Sequence, residues 1–181
     1  MKNIFLILFL LSGTILTSFA QSYLGYVTST VNFRSEPNTN CKILGSLQRG
    51  EALFVISTEK INGFYQVLNI ATNKEGYVHG NFVQLDKVLP KNDEGIFTPL
   101  GKSANYKPSI KIYNNTSLTL TLKLNDLTYS FTPHQRRSLT LSPGTYSYRA
   151  SAPGVIPDYG TESMQSNYEY EWEFYISTTY R

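Results

Sequence analysis

The chain has 181 residues, with 16 Lys and Arg against 13 Asp and Glu and a formal net charge of +3. Its basic residues form no block or stripe, so the electrostatic footprint of a nucleic-acid-binding protein is absent. Apolar residues recur at two-residue spacing, and Gly, Pro and Asn interrupt every run before three helical turns accumulate, which predicts an all-β protein.

The first twenty residues have the pattern of a secretory signal peptide. Lys2 supplies a charged start, an apolar run covers residues 4–11, and small residues stand at Ser18 and Ala20. The apolar run is about 10 residues long, against the ~20 that a membrane-spanning helix needs. We therefore expect cleavage after Ala20 and a secreted or periplasmic protein with no membrane span. The remaining ~160 residues suffice for one large domain or two small ones.

Cys41 is the single cysteine, so no intramolecular disulfide can form. Two interpretations follow: Cys41 is a small buried hydrophobic residue, or its thiol is available for pairing between molecules.

Residues 21–85 predict five short strands with a turn about every ten residues, the pattern of a small β-barrel. A hairpin is expected at Asn62-Gly63, a pair suited to positive φ, and a second at residues 73–76. Several short motifs occur at set intervals along this segment. They are Val31-Asn32-Phe33-Arg34-Ser35-Glu36-Pro37, Gly45, Gly50, Gly63-Phe64-Tyr65 and Gly76-Tyr77-Val78.

The motifs over residues 23–85 resemble those of the bacterial SH3 (SH3b) domain. The resemblance implies a small barrel of a kind usually found in exported bacterial proteins, where it commonly binds cell-wall peptides or acts as a non-catalytic adaptor. Three positions depart from the family pattern: Glu36 replaces the usual Gly, and Phe64 and Tyr77 stand where Trp is more frequent.

Seven side chains of this segment are candidates for a ligand groove on the barrel, and those of them that are exposed would line it. Aromatic faces provide contact area at a low cost in side-chain entropy, and an Arg and a Glu could pair with the carboxylate and the amine of a short peptide. The alternative is that most of these rings belong to the barrel core or are covered by a second domain. The set is Tyr26, Arg34, Glu36, Tyr65, Tyr77, His79 and Phe82.

Residues 86–107 mix charges with Pro and Gly and show little periodicity, which predicts a linker between two domains. In residues 108–181, alternating Leu and polar residues at 118–124 and aromatic and Glu residues at 168–176 predict strands with one apolar face. These faces favour a C-terminal antiparallel β-sandwich of the immunoglobulin-like or transthyretin-like type. The run Leu-Ser-Pro-Gly-Thr-Tyr at 141–146 weakly resembles PEGA-like and transthyretin-like modules.

Three features of the C-terminal half have alternative interpretations. Glu169, Glu171 and Glu173 form an acidic row, which is either a solvated strand face or a site for calcium or a basic partner. Residues 151–167 are either a recognition loop or a mobile connection. Arg136-Arg137 is most simply a solubilising pair.

No catalytic or metal-binding pattern is found. Cys41, His79 and His134 are the only Cys and His residues, and no HExxH, GxSxG or phosphate loop occurs. We therefore predict an exported non-catalytic envelope protein without cofactor or metal, whose barrel recognises peptidoglycan peptide or a protein partner. The alternatives are a structural or assembly protein without a small ligand, and a regulator of a cell-wall hydrolase.

Overall fold

The computed structural model describes residues 21–176, and this part of the chain is almost entirely β. The first seven strands form one sheet in the order β3-β2-β6-β5-β4-β1-β7, with every pair antiparallel. A short 3₁₀ turn, Gly80–Phe82, joins β6 to β7. The strands are β1 (Tyr23–Val27), β2 (Val31–Arg34), β3 (Ile43–Leu47), β4 (Ala52–Val55), β5 (Phe64–Asn69), β6 (Lys74–His79) and β7 (Val83–Val88).

This sheet curls around its own core, because each of the seven strands contributes at least one buried residue to a single cluster. The barrel predicted for this segment is therefore present, with two more strands than the five expected. The cluster consists of Val27, Phe33, Leu47, Leu53, Val55, Tyr65, Val67, Val78 and Val83.

Glycine and asparagine shape the barrel. The first hairpin turns at Asn62-Gly63 as predicted, whereas the second turns at residues 70–73 rather than 73–76, and Gly76 lies within β6. Asn62 and Gly63 have φ of 52° and 84°, and Asn73 has φ of 55°, so both hairpins turn through left-handed residues. Gly76 lies directly beneath Phe33: a Cβ at this position would be 2.5 Å from the Phe33 ring. The barrel interior thus requires glycine where the motif has it.

The remaining eight strands form two four-stranded sheets, ordered β11-β10-β13-β14 and β12-β9-β15-β8. Side chains of both sheets meet in one core that includes Ile110, Leu122 and Tyr170. One pair departs from the predicted antiparallel arrangement, since β9 and β15 run parallel. The strands are β8 (Thr98–Lys102), β9 (Ser109–Asn114), β10 (Leu120–Leu124), β11 (Leu127–Phe131), β12 (Arg136–Thr140), β13 (Gly144–Ser151), β14 (Asp158–Met164) and β15 (Tyr168–Phe174).

The predicted linker is more ordered than its composition indicates. Strand β8 lies within it, and β7 extends into it as far as Val88. The backbone of Asn92 bridges to Gly160, and the buried carboxylate of Glu162 accepts hydrogen bonds from the N–H groups of Ile96 and Phe97 at 2.7 and 2.9 Å. Strand β14 likewise occupies residues that we interpreted as a loop.

A third hydrophobic cluster joins the barrel to the C-terminal sheets. Leu24, Phe54, Leu68 and Leu89 pack with Tyr159 of β14, whose ring meets Phe54 edge-on at 5.4 Å. The Tyr159 hydroxyl donates to the Leu89 carbonyl at 2.8 Å. This contact covers the outward face of β1, β4 and β5 near one end of the barrel.

Polar contacts surround this cluster. Glu75 of β6 forms ion pairs with Arg149 and, at 3.4 Å, with Lys123. Asn73 donates to the hydroxyl of Thr121 at 3.1 Å. The two halves are therefore in direct apolar and ionic contact.

The structure has no helix in residues 21–176 of the length and hydrophobicity that a bilayer crossing requires.

Candidate functional site

A groove of about 400 Å³ opens on the barrel where strands β2 and β6 separate. These two strands pair only at Arg34 and Tyr77, so beyond this point their backbones diverge. The gap lies at the Phe64–His79 end of the β5–β6 hairpin, whereas the C-terminal sheets contact the opposite end, at Asn73 and Glu75. The lining residues are Thr30, Val31, Asn32, Arg34, Thr39, Ser46, Phe64, His79 and Phe82.

Three rings form a row along the groove. Phe64 meets His79 edge-on with ring centroids 5.0 Å apart, and His79 meets Phe82 at 6.1 Å. His79 also caps the 3₁₀ turn, because its Nδ1 accepts a hydrogen bond from the N–H of Asn81 at 3.4 Å. This bond and the two ring contacts fix the imidazole at the centre of the row.

Arg34 is the only Lys, Arg, Asp or Glu among the residues that line the groove. Its Nη1 donates to the carbonyl of Thr39 at 2.8 Å, and no described carboxylate pairs with it. The loop after β2 is held in place by its own bonds: the N–H of Ser35 donates to Lys42, and Asn62 donates to Pro37. The guanidinium is thus positioned by the loop and keeps donors for an anionic group.

Cys41 lies within this loop and is half-buried. The thiol donates to the carbonyl groups of Glu36 and Asn38 at 3.3 and 3.2 Å. Burial raises the pKa of the Cys41 thiol, but hydrogen bonds with the Glu36 backbone and with the Ser35 and Arg34 side chains outweigh it, so the pKa falls below its ordinary value. Of the two interpretations, full burial does not hold.

The structure brings together three of the seven predicted site residues: Arg34, His79 and Phe82. Tyr77 pairs with Arg34 across the strands and is half-buried, but it does not line the groove. Glu36 is exposed on the adjacent loop, where it accepts a hydrogen bond from Asn38.

The other two predicted residues lie elsewhere. Tyr26 is exposed on β1. Tyr65 belongs to the barrel core with 8% of its surface exposed, and the ammonium of Lys60 lies 4.9 Å from its ring. Tyr65 is therefore removed from the set of groove residues, because alternation along β5 points it inward while its neighbour Phe64 lines the groove.

Several lining residues were not predicted from the sequence. Thr30, Thr39 and Ser46 carry small polar side chains outside the quoted motifs, and Asn32 lies within a motif but was not assigned to the groove. Phe64 could have been recognised, because a hairpin at Asn62-Gly63 places it across from His79. Cross-strand pairing was the available signal.

The groove is open to solvent rather than covered by the second half of the chain. All of its lining residues lie between positions 30 and 82, and no described residue of the linker segment or the C-terminal sheets contributes to it. The covered-groove alternative therefore does not apply to this site.

Two of the three carboxylates in the acidic row of β15 have side-chain partners. Glu169 pairs with Lys111 at 3.4 Å, and Glu173 accepts a hydrogen bond from Asn115 at 2.7 Å. Within residues 21–176, no three His, Cys, Asp or Glu side chains are grouped so that they could hold a metal ion.

Residues 29–84 match the family model described as Bacterial SH3 domain. The match covers the whole groove and the barrel from β2 to the start of β7, while β1 precedes it, and it confirms the SH3b resemblance of this segment. No curated protein and no solved structure matches the chain.

Proposed function

We propose that the chain is an exported, non-catalytic binding protein of the bacterial envelope whose barrel groove takes a short peptide of the cell wall or of an envelope protein. The observation that supports this most directly is the open groove between β2 and β6. Bacterial SH3 domains commonly bind the cell wall, and the groove lies within the matched residues.

The side chains of the groove suit the free carboxylate end of a peptide. The Arg34 guanidinium can donate two parallel hydrogen bonds to a carboxylate, a geometry that adds specificity as well as affinity. His79 and Phe82, backed by the buried ring of Phe64, give an aromatic surface on which an aliphatic side chain or backbone can lie. In this proposal Arg34 sets the orientation of the peptide, and the rings supply contact area.

The structural alternative rests on a different observation, the contact between Phe54 and Tyr159 and the ion pairs of Glu75. Here the barrel would serve as a scaffold for the C-terminal sheets and the groove would have no ligand. The two functions are separable by experiment, because the groove and the junction share no residue.

The decisive experiment is co-sedimentation of the mature chain, residues 21–181, with purified peptidoglycan, combined with NMR titration using synthetic stem peptides. We expect pelleting and shifts confined to groove residues. Arg34→Gln and Phe82→Ala should each weaken binding roughly tenfold, the loss of about 1.4 kcal/mol. Tyr26→Ala, an exposed aromatic outside the groove, is the matched control and should bind normally.

Failure of the wild-type chain to sediment, together with unshifted groove resonances, would eliminate wall binding and favour the scaffold. Circular dichroism of each variant shows whether the barrel is intact. Export is tested separately: cell fractionation and N-terminal sequencing should find the protein outside the cytoplasm and beginning at Gln21.

A further inference from the structure

The sheet β12-β9-β15-β8 has a second groove, of about 700 Å³, along its outward face. Cross-strand register places Glu171 between Thr98 and Lys111, and it places Tyr113 between Glu173 and Arg136. We propose that this outward face binds a neutral, hydroxyl-rich oligosaccharide. The inference goes beyond the peptide groove, because the two sites share no residue.

The charges on this face are balanced. Five charged residues line the groove, the cations Lys111, Arg136 and Arg137 and the carboxylates Glu171 and Glu173. Arg137 pairs in register with the buried Ile112 and lies over the Phe131 ring, so it points away from the outward face and leaves two cations and two carboxylates there. Such a set does not attract a polyanion or a polycation. It does offer both acceptors and donors to hydroxyl groups, which act in both roles themselves. A neutral polyhydroxylated ligand is therefore the chemistry that the face complements.

Part of the face is held in one arrangement before any ligand binds. The Arg136 guanidinium lies 3.7 Å from the centre of the Tyr113 ring. The Tyr113 hydroxyl donates to Asn115 at 3.2 Å, and the Asn115 amide donates to Glu173 at 2.7 Å. Side chains that are already ordered lose less entropy on binding, so this network favours recognition of a flexible, uncharged chain.

Two further groups are available for direct contact. The carboxylate of Glu171 makes no hydrogen bond or ion pair with another described residue. Tyr175 also lines the groove and has 68% of its surface exposed. An exposed aromatic ring can stack against the C–H face of a sugar, and a free carboxylate can accept from two adjacent hydroxyls.

The test is a titration of residues 21–181 with the neutral β-1,4-linked tetramer of N-acetylglucosamine. Trp172 is the only tryptophan of the chain and lines the groove, so its fluorescence reports occupancy alongside calorimetry. We expect saturable binding that Glu171→Gln and Tyr175→Ala each weaken about tenfold. Glu169→Gln, on the same strand face but outside the groove, should bind as the wild type does.

Four results would overturn the proposal. The first is no saturation at millimolar tetramer. The second is equal affinity for the wild type and both groove variants. The third is tighter binding of heparin than of the tetramer, which would show a site for anions. Phe82→Ala, in the barrel groove, should retain sugar binding. Loss of sugar binding in this variant would show that the sugar binds at the barrel, which would also contradict the inference.

Discussion

Arg149 of β13 and Glu75 of β6 form an ion pair across the junction between the barrel and the C-terminal sheets. The Arg149 side chain is 9% exposed and Glu75 is 33% exposed, so the pair is shielded mainly on the Arg149 side. Residues separated by 74 positions in the sequence thus fix the two halves against each other.

Removal of the Glu75 carboxylate should destabilise the whole chain. Breaking a fully buried ion pair costs about 3–5 kcal/mol, and since Glu75 is partly exposed we expect roughly 2 kcal/mol for Glu75→Ala. Glu169→Ala removes a comparable pair with exposed Lys111 and should cost under about 0.5 kcal/mol. Urea unfolding measures both. Equal free energies of unfolding for the two variants would show that the junction adds no stability.

Glu162 should hold the segment that was predicted to be a linker. Glu162→Ala leaves the N–H groups of Ile96 and Phe97 without their acceptor, at a cost of roughly 3 kcal/mol. Glu162→Gln retains one acceptor oxygen and should lose about 1 kcal/mol. Hydrogen exchange at the Ile96 and Phe97 amides is the direct measurement: both should exchange faster in the Ala variant, and unchanged protection would contradict this role.

Gly76→Ala should disrupt the barrel core. The added Cβ would lie 2.5 Å from the Phe33 ring and 2.6 Å from the Arg34 carbonyl, and the backbone cannot move aside as a side chain can. We expect a loss of at least about 3 kcal/mol. Gly45→Ala is the matched control, because its Cβ would meet no atom within 4 Å. A thermal unfolding midpoint for Gly76→Ala close to that of Gly45→Ala would refute the packing argument.

Cys41 should react with a thiol reagent in the folded state. The residue is only half-buried, so its thiol is accessible, and a lowered pKa means that the reactive thiolate forms at a lower pH than in an unperturbed cysteine. The labelling rate with a disulfide reagent is measured from pH 6 to 9. The pH at which this rate is half-maximal should be lower for the folded protein than for a cysteine-containing peptide. Labelling only after denaturant is added would show that the loop shields the thiol.

Strand alternation and turn chemistry were enough to predict the all-β fold and the barrel, but Gly76, which was predicted to lie in the second hairpin turn, belongs to strand β6. The same local signals could not tell which face of β5 points inward, so Tyr65 was predicted to be at the surface while Phe64 was overlooked. Inward direction is decided by pairing with β4 and β6, which depends on contacts distant in sequence. The groove has the same origin, since β2 pairs with β6 only at Arg34 and its preceding residues diverge from β6.

The segment 86–107 illustrates the limit of composition as a guide. Its mixture of charges, Pro and Gly is typical of a linker, and those residues do interrupt its strands. Its order comes from Glu162, 65 positions after Phe97, and from Asn92 bridging to Gly160. Neither partner is recognisable without the fold.

The immunoglobulin-like or transthyretin-like type of the two C-terminal sheets stays a prediction. Any such assignment must accommodate the parallel β9–β15 pair.

The ionic and apolar junction has a consequence for multivalent binding. A flexible tether lets two sites search independently, and the effective concentration of the second site then depends on tether length. Here the contacts of Glu75, Arg149 and Tyr159 hold the barrel against the C-terminal sheets. The span between the two sites is therefore fixed. Avidity would therefore be gained only on a ligand lattice whose repeat matches that span, and it would vanish on one that does not.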